Sequence, residues 1–239
     1  MKIHTYYRPI PAMGQQGQEE ILRLWVDNWK QAGFDPVVIG QQQAEAHPGF
    51  NEFKERITAM PMMNHNIPDY EHACFFRWIA MANVGGGLMA DYDCFNAGFE
   101  PEDVVFKDMT IYEPPHVPCL VSGSSLEYER VIQIFMNFNI GMYKDWLKPH
   151  SRNGQGVSDM LVLANHSDQL EGKDLVRQYD PSGMKGSKAI HFSNRSCGGN
   201  KVKVIKEWLK TQSTSSWRTA APKKRSKGIF QFGKETDSQ

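Results

Sequence analysis

Asp91 and Asp93 flank Tyr92 directly after the apolar run Leu88-Met89-Ala90. Side chains at i and i+2 of an extended chain share a face, so at the end of a strand two such carboxylates converge. That arrangement suits a hard divalent cation, Mn²⁺ or Mg²⁺. Such an ion keeps open positions for substrate phosphate oxygens and neutralises a departing diphosphate. Asp-x-Asp recurs by chance in surface loops, so its setting matters. Gly85-Gly86-Gly87 precedes the strand and permits a tight reversal from helix to strand, with close approach of a ligand or another backbone. Upstream, Glu71 to Asn83 reads as a largely buried helix carrying Ala73, Phe76, Trp78, Ile79, Ala80 and Met81, with Arg77 embedded among them. An unpaired guanidinium there is costly, so Arg77 either reaches a ligand or pairs with one of the two aspartates.

Arg77, Ala80, Gly86-Gly87, Leu88, Asp91 and Asp93 together resemble the sugar-binding region of the DxD-containing glycosyltransferases with the GT-A fold. The resemblance covers about twenty-five residues closely and extends loosely, in the order of elements, to about residue 200. It implies that Asp93 is a direct metal ligand and that Asp91 binds the metal or the donor's ribose and sugar hydroxyls. Arg77 would reach the donor from its helix. In the same family a later acid at a helix start lies near the transferred sugar, and Asp159 in Gly156-Val157-Ser158-Asp159 fits it, although Met160 stands where Glu or Gln is usual. A late strand whose His completes the metal site is matched by His191 in Ala189-Ile190-His191-Phe192, without the usual Lys-Pro-Trp continuation. The bland alternatives are a helix-capping Asp159 and a core or surface His191. Arg195, Lys201 and Lys203 follow and could meet diphosphate oxygens or simply be solvated.

The elements that must hold these groups alternate between strand and helix. Ile3 to Tyr7 is a β-prone run stopped by Pro9 and Pro11, and Tyr6 and Tyr7 at its end are placed either to contact a nucleotide base or to pack. Glu19 to Ala32 has helical spacing of apolar residues with Gly33 at the C′ position, and Phe34 to Gly40 is a second strand. Strand, helix, strand is a βαβ unit, so the sheet is parallel there and its ligands belong at the carboxyl ends of the strands. Residues 41 to 70 form a variable connection with a helix around Phe50 to Thr58. Val104-Val105-Phe106 and Cys119-Leu120-Val121 read as strands, and Leu126 to Phe138 as a helix.

The expected architecture is α/β: one GT-A-like, Rossmann-like domain over residues 1–210, with a mixed, mostly parallel sheet flanked by helices. Residues 211–239 form a flexible basic tail, where Arg218, Lys223, Lys224, Arg225, Lys227 and Lys234 precede any acid. The 239 residues include 40% hydrophobic and 23% charged, close to globular averages. Lys+Arg and Asp+Glu both total 27, so no global field draws the chain to nucleic acid. Neither a secretory leader nor a run of roughly 18–20 apolar residues is present, which gives a cytoplasmic location, with the tail as a weak contact to an anionic inner membrane surface. The four cysteines lack CxxC spacing and read as reduced thiols.

The resemblance implies a metal-dependent glycosyltransferase of the hexosyltransferase type. It would move a sugar from a nucleoside-diphosphate sugar to a saccharide or other hydroxyl acceptor with retention of configuration, in cell-surface polysaccharide or glycoconjugate synthesis. Two rivals stay open: a metal-dependent phosphohydrolase or nucleotidyltransferase using the same Asp pair, and a nucleic-acid or membrane-surface binding protein acting through the tail.

Overall fold

The structure is a computed structural model describing residues 1–113, 117–151, 156–184 and 186–213. It opens with β1 (Lys2–Tyr6), α1 (Gln15–Gln31) and β2 (Asp35–Ile39), and β1 and β2 pair in parallel, as the βαβ reading requires. Ile21, Trp25 and Trp29 recur every four residues and bury one face of α1. Gly33 ends the helix with φ of 87°, a backbone conformation that a side chain resists. Three helices follow: α2 (Gln41–Glu45), α3 (Phe50–Thr58) and α4 (Pro68–Asn83). The chain then turns into β3 (Gly86–Ala90) and β4 (Cys94–Asn96).

Gly86 makes that reversal possible. Its φ is 76°, and a Cβ there would lie 2.5 Å from the backbone nitrogen of Ser125. After β5 (Thr110–Glu113), β6 (Val117–Ser124) and α5 (Ser125–Asn137) come α6 (Lys144–His150) and α7 (Asp159–Asn165). The described chain closes with β7 (Glu171–Gly172), β8 (Val176–Gln178), β9 (Ala189–His191) and α8 (Lys201–Ser213). The basic residues assigned to the tail, Arg218 to Lys234, lie outside the described residues.

Six strands form the main sheet in the order β2-β1-β3-β6-β5-β7. The β1–β2, β1–β3 and β5–β7 pairings are parallel, and β3–β6 and β5–β6 are antiparallel, so the sheet is mixed and mostly parallel as expected. Alternate residues feed two cores. Met89, Ile111 and Val121 pack towards α3, α4, α5 and α7, whereas Leu88, Ala90, Tyr112 and Leu120 pack towards α1 and α8. Burial on both faces explains why the central strands read as continuous apolar runs.

A second sheet, β4-β9-β8, covers part of the α1/α8 side; the run Ala189 to Phe192 reads as a strand and supplies β9, whereas β4 and β8 carry no signal. Its importance is that β9 pairs antiparallel with β4, directly after the Asp-x-Asp turn, and places His191 opposite Cys94.

Val104 to Phe106 is not a strand. The Val105 N–H donates to the Tyr112 hydroxyl at 2.9 Å and its carbonyl accepts from Ser122 Oγ at 2.5 Å, so side chains satisfy a backbone that would otherwise need a ladder. Thr110–Glu113 supplies the strand instead. All four cysteines are free, with Cys94, Cys119 and Cys197 buried. Among the described residues no helix is long and apolar enough to cross a membrane.

Candidate active site

The Asp-x-Asp segment is a turn between β3 and β4, fixed at both ends by its backbone. The Asp91 N–H donates to the Cys119 carbonyl at 2.7 Å, and the Cys94 N–H donates to the Asp91 carbonyl at 2.8 Å. The turn lies at the carboxyl end of β3, next to the end of β1, where the parallel strands deliver their loops.

On one flank, Arg77 of α4 is buried and its guanidinium is spoken for. Nη1 donates to Asp91 Oδ1, Nη2 to Asp159 Oδ2 at 2.6 Å, and Nε to the Cys74 carbonyl at 3.0 Å. Burial disfavours the cation, but Asp91 and Asp159 outweigh it and hold the guanidinium well above its ordinary value. Asp159 accepts a further bond from Trp78 Nε1 at 3.1 Å, and its Oδ1 takes the Met160 N–H at 2.7 Å. The residue that caps α7 is Ser158, whose side chain accepts from the Leu161 N–H, so Asp159 is free to face Arg77. Burial raises the Asp91 carboxyl, with Arg77 opposing.

On the other flank stand Asp93, His191 and two residues of greater weight than the sequence suggested, Lys201 and Glu113. Lys201 Nζ, at the start of α8, donates to Asp93 Oδ2 at 2.5 Å, and His191 Nε2 lies 3.8 Å from Asp93 Oδ1. Burial alone would raise Asp93, but Lys201 and His191 lower it. His191 Nδ1 sits 2.7 Å from Glu113 Oε2, which also accepts from the Cys119 thiol at 2.9 Å. Burial works against a charged imidazole, yet the Cys119 sulfur, Glu113 and Asp93 together raise His191 well above its ordinary value.

One ligand atom from each of Asp91, Asp93 and His191 lies within 4.8 Å of the others. Two carboxylate oxygens and an imidazole nitrogen match Mn²⁺ and tolerate Mg²⁺, so the donor set fits the cation that the sequence resemblance implied. Glu113, Cys119 and His191 form a second trio of the same compactness. A metal there would need a thiolate, whereas burial pushes the Cys119 thiol well above its ordinary value. That trio is a protonated hydrogen-bond network rather than a metal cage.

Tyr6 is buried in the core, and its hydroxyl donates to Gln41 Oε1 at 3.1 Å, so packing accounts for it. Tyr7 is half-buried, edge-on to Tyr92 at 5.8 Å, and its hydroxyl has no partner among the described residues. Tyr70, which no sequence motif marks, is more than a third exposed, and its phenol is raised well above its ordinary value chiefly by the Cys74 sulfur, with the carboxylates of Asp93 and Asp91 adding to it. Glu113 carried one signal in the sequence, an acid closing the apolar run Met109 to Tyr112, and Lys201 carried its distance of ten residues from His191.

Comparison with known proteins adds to this geometry. A family model described as a domain of unknown function, DUF8765, matches residues 1–107, which include Asp91 and Asp93 but neither Asp159 nor His191. No curated protein matches the chain. Among solved structures, an active-site mutant of LgtC superposes with a TM-score of 0.50 at 10% identity, over 88% of this chain and 96% of that one. The galactosyltransferase LgtC in complex with donor and acceptor sugar analogs gives 0.47 at 10% identity, covering 90% and 97%. A glycosyltransferase involved in the glycosylation of the major capsid of PBCV-1 gives 0.41 at 9% identity, covering 86% and 98%. The first of these likenesses bears on the fold, which is the GT-A-like arrangement expected from the sequence.

Proposed function

We propose that residues 1–210 form a metal-dependent glycosyltransferase of the hexosyltransferase type, taking a sugar from a nucleoside-diphosphate sugar and giving it to a hydroxyl acceptor with retention. Synthesis of a cell-surface polysaccharide or glycoconjugate is the setting. The observation that carries this reading is the convergence of Asp91, Asp93 and His191 on one point from two segments a hundred residues apart. The fold shared with LgtC supports the same reading.

Asp93 and His191 would hold the cation, with Asp91 as a third ligand or as the acceptor of a donor hydroxyl. When bound, Mn²⁺ or Mg²⁺ supplies positive charge against the diphosphate leaving group. Arg77 holds and aims Asp91, and Asp159 keeps Arg77 in place. Both act on the donor through Asp91. The Lys201 ammonium, already at Asp93, would offer charge-assisted hydrogen bonds to diphosphate oxygens. At the end of β1 the Tyr7 hydroxyl is buried without a partner among the described residues, so its ring would have to turn to meet a nucleotide.

The test is release of free nucleoside diphosphate from a panel of nucleotide sugars with Mn²⁺, with a hydroxyl acceptor mixture or without. Release with sugar appearing on an acceptor supports transfer. Release of sugar phosphate or inorganic phosphate supports the hydrolase rival instead, and no turnover of any donor by a protein that Asp93→Ala leaves unchanged overturns the proposal.

A further inference from the structure

Glu113 is a buried carboxylate that the proposed reaction does not use directly. Burying a carboxylate costs several kcal/mol unless donors surround it. Here His191 Nδ1 lies at 2.7 Å and the Cys119 thiol at 2.9 Å, and the side chain of Gln178 is near enough to lower the carboxyl further. They come from three strands, β9, β6 and β8, while Glu113 ends β5. The carboxylate therefore ties the main sheet to the three-stranded sheet, and it does so at the ring of one residue.

The two nitrogens of that ring face different ways. Nδ1 is directed at Glu113, and Nε2 lies on the Asp93 side, 3.8 Å from Oδ1. A proton held on Nδ1 by a carboxylate leaves the Nε2 lone pair for a cation and stops the ring from flipping. Neither Asp91 nor Asp93 does this for His191, because both lie on its other face. Cys119 in turn fixes Glu113, its thiol donating to the same oxygen that receives Nδ1.

We propose that Glu113 is the positioning residue of the cation site: it fixes the tautomer and orientation of His191, so that Nε2 completes the set with Asp91 and Asp93. This rests on the metal-dependent reading above.

The experiment is Mn²⁺ binding to the full chain without donor or acceptor, read from the loss of the free-ion paramagnetic resonance signal. Four proteins are compared: wild type, Glu113→Gln, His191→Ala and the double variant. Glu113→Gln is expected to weaken Mn²⁺ on the order of tenfold, in the range seen for groups that orient metal-binding histidines. In the His191→Ala background the same change is expected to cost less than about twofold, since there is no ring left to orient. Equal losses in both backgrounds, or none in either, overturn the positioning role. Failure of wild type to bind Mn²⁺ gives a separate pattern, one that overturns the metal reading and this inference with it. Should Glu113→Gln not fold, Gln178→Ala takes away a polar side chain beside the same carboxylate at an exposed position, with an expected loss of about threefold that also vanishes in the His191→Ala background.

Discussion

The two aspartates of one turn live in different surroundings. Asp91 faces a closed flank: Arg77 is buried, holds Asp159 as well, and gives its Nε to the Cys74 carbonyl. Asp93 faces a flank built from a histidine, a lysine at the tip of a helix and a carboxylate behind them. The Arg77 flank is formed by α4 and α7, long or well-capped elements packed in the larger core. Asp93 is answered by the small sheet and the start of α8. One flank fixes the position of the site, and the other holds the groups that a cation and a phosphate would engage.

Arg77→Met tests the first half of that comparison and should have the largest effect. It leaves the Asp159 carboxylate buried without its cation, so unfolding in urea should show a loss of about 3–5 kcal/mol. A loss under about 1 kcal/mol would mean that the Arg77 flank is not structural. Asp93→Asn tests the second half. It should leave folding nearly intact, because a hydrogen-bonding side chain remains, while Mn²⁺ affinity falls on the order of a hundredfold, about 2.7 kcal/mol. Calorimetric titration checks both the affinity and the fold.

The pH response of the metal-free protein tests the Asp93 flank a second time. Glu113 is held below its ordinary value, since His191 and its other donors outweigh burial. Its contribution to stability is present above the unfolded carboxyl value of about 4.3 and is lost as pH falls through the folded value. His191 is raised, so its contribution is full below about 6.5 and is lost as pH rises through the folded value. Stability should therefore decline on both sides of a middle range, and His191→Gln should flatten the alkaline limb. The smallest effect is expected from Lys201→Met. Its ammonium occupies an oxygen that a cation would take, so the variant should bind Mn²⁺ about threefold more tightly in the absence of nucleotide. Weaker binding would mean that Lys201 supports the cation site rather than competing for it.

Local chemistry was legible in the sequence and distant pairing was not. The βαβ opening, the helix at Phe50–Thr58 and the strand before Asp91 follow from period and from glycine or proline punctuation, which act within a few residues. A pair with an aspartate was one of the two readings that its apolar helix left for Arg77, and its second partner, Asp159, is 82 residues away. Glu113 and His191 are 78 residues apart, and although the strand carrying His191 was legible, the pairing that brings it to Glu113 was not. Val104 to Phe106 misled for the opposite reason. Its β-branched residues suit a strand, yet Tyr112 and Ser122 take the hydrogen bonds that a strand would use.

The central claim is that the Asp91, Asp93 and His191 site holds a divalent cation for a nucleoside-diphosphate sugar. The most direct measurement is thermal unfolding against a panel of nucleoside-diphosphate sugars and free nucleotides, each with Mn²⁺, with Mg²⁺ or with chelator. A metal-dependent rise in melting temperature with one nucleotide family, absent in Asp93→Ala, is expected. No rise with any nucleotide, or a rise that survives the chelator and the Asp93→Ala change, would contradict it.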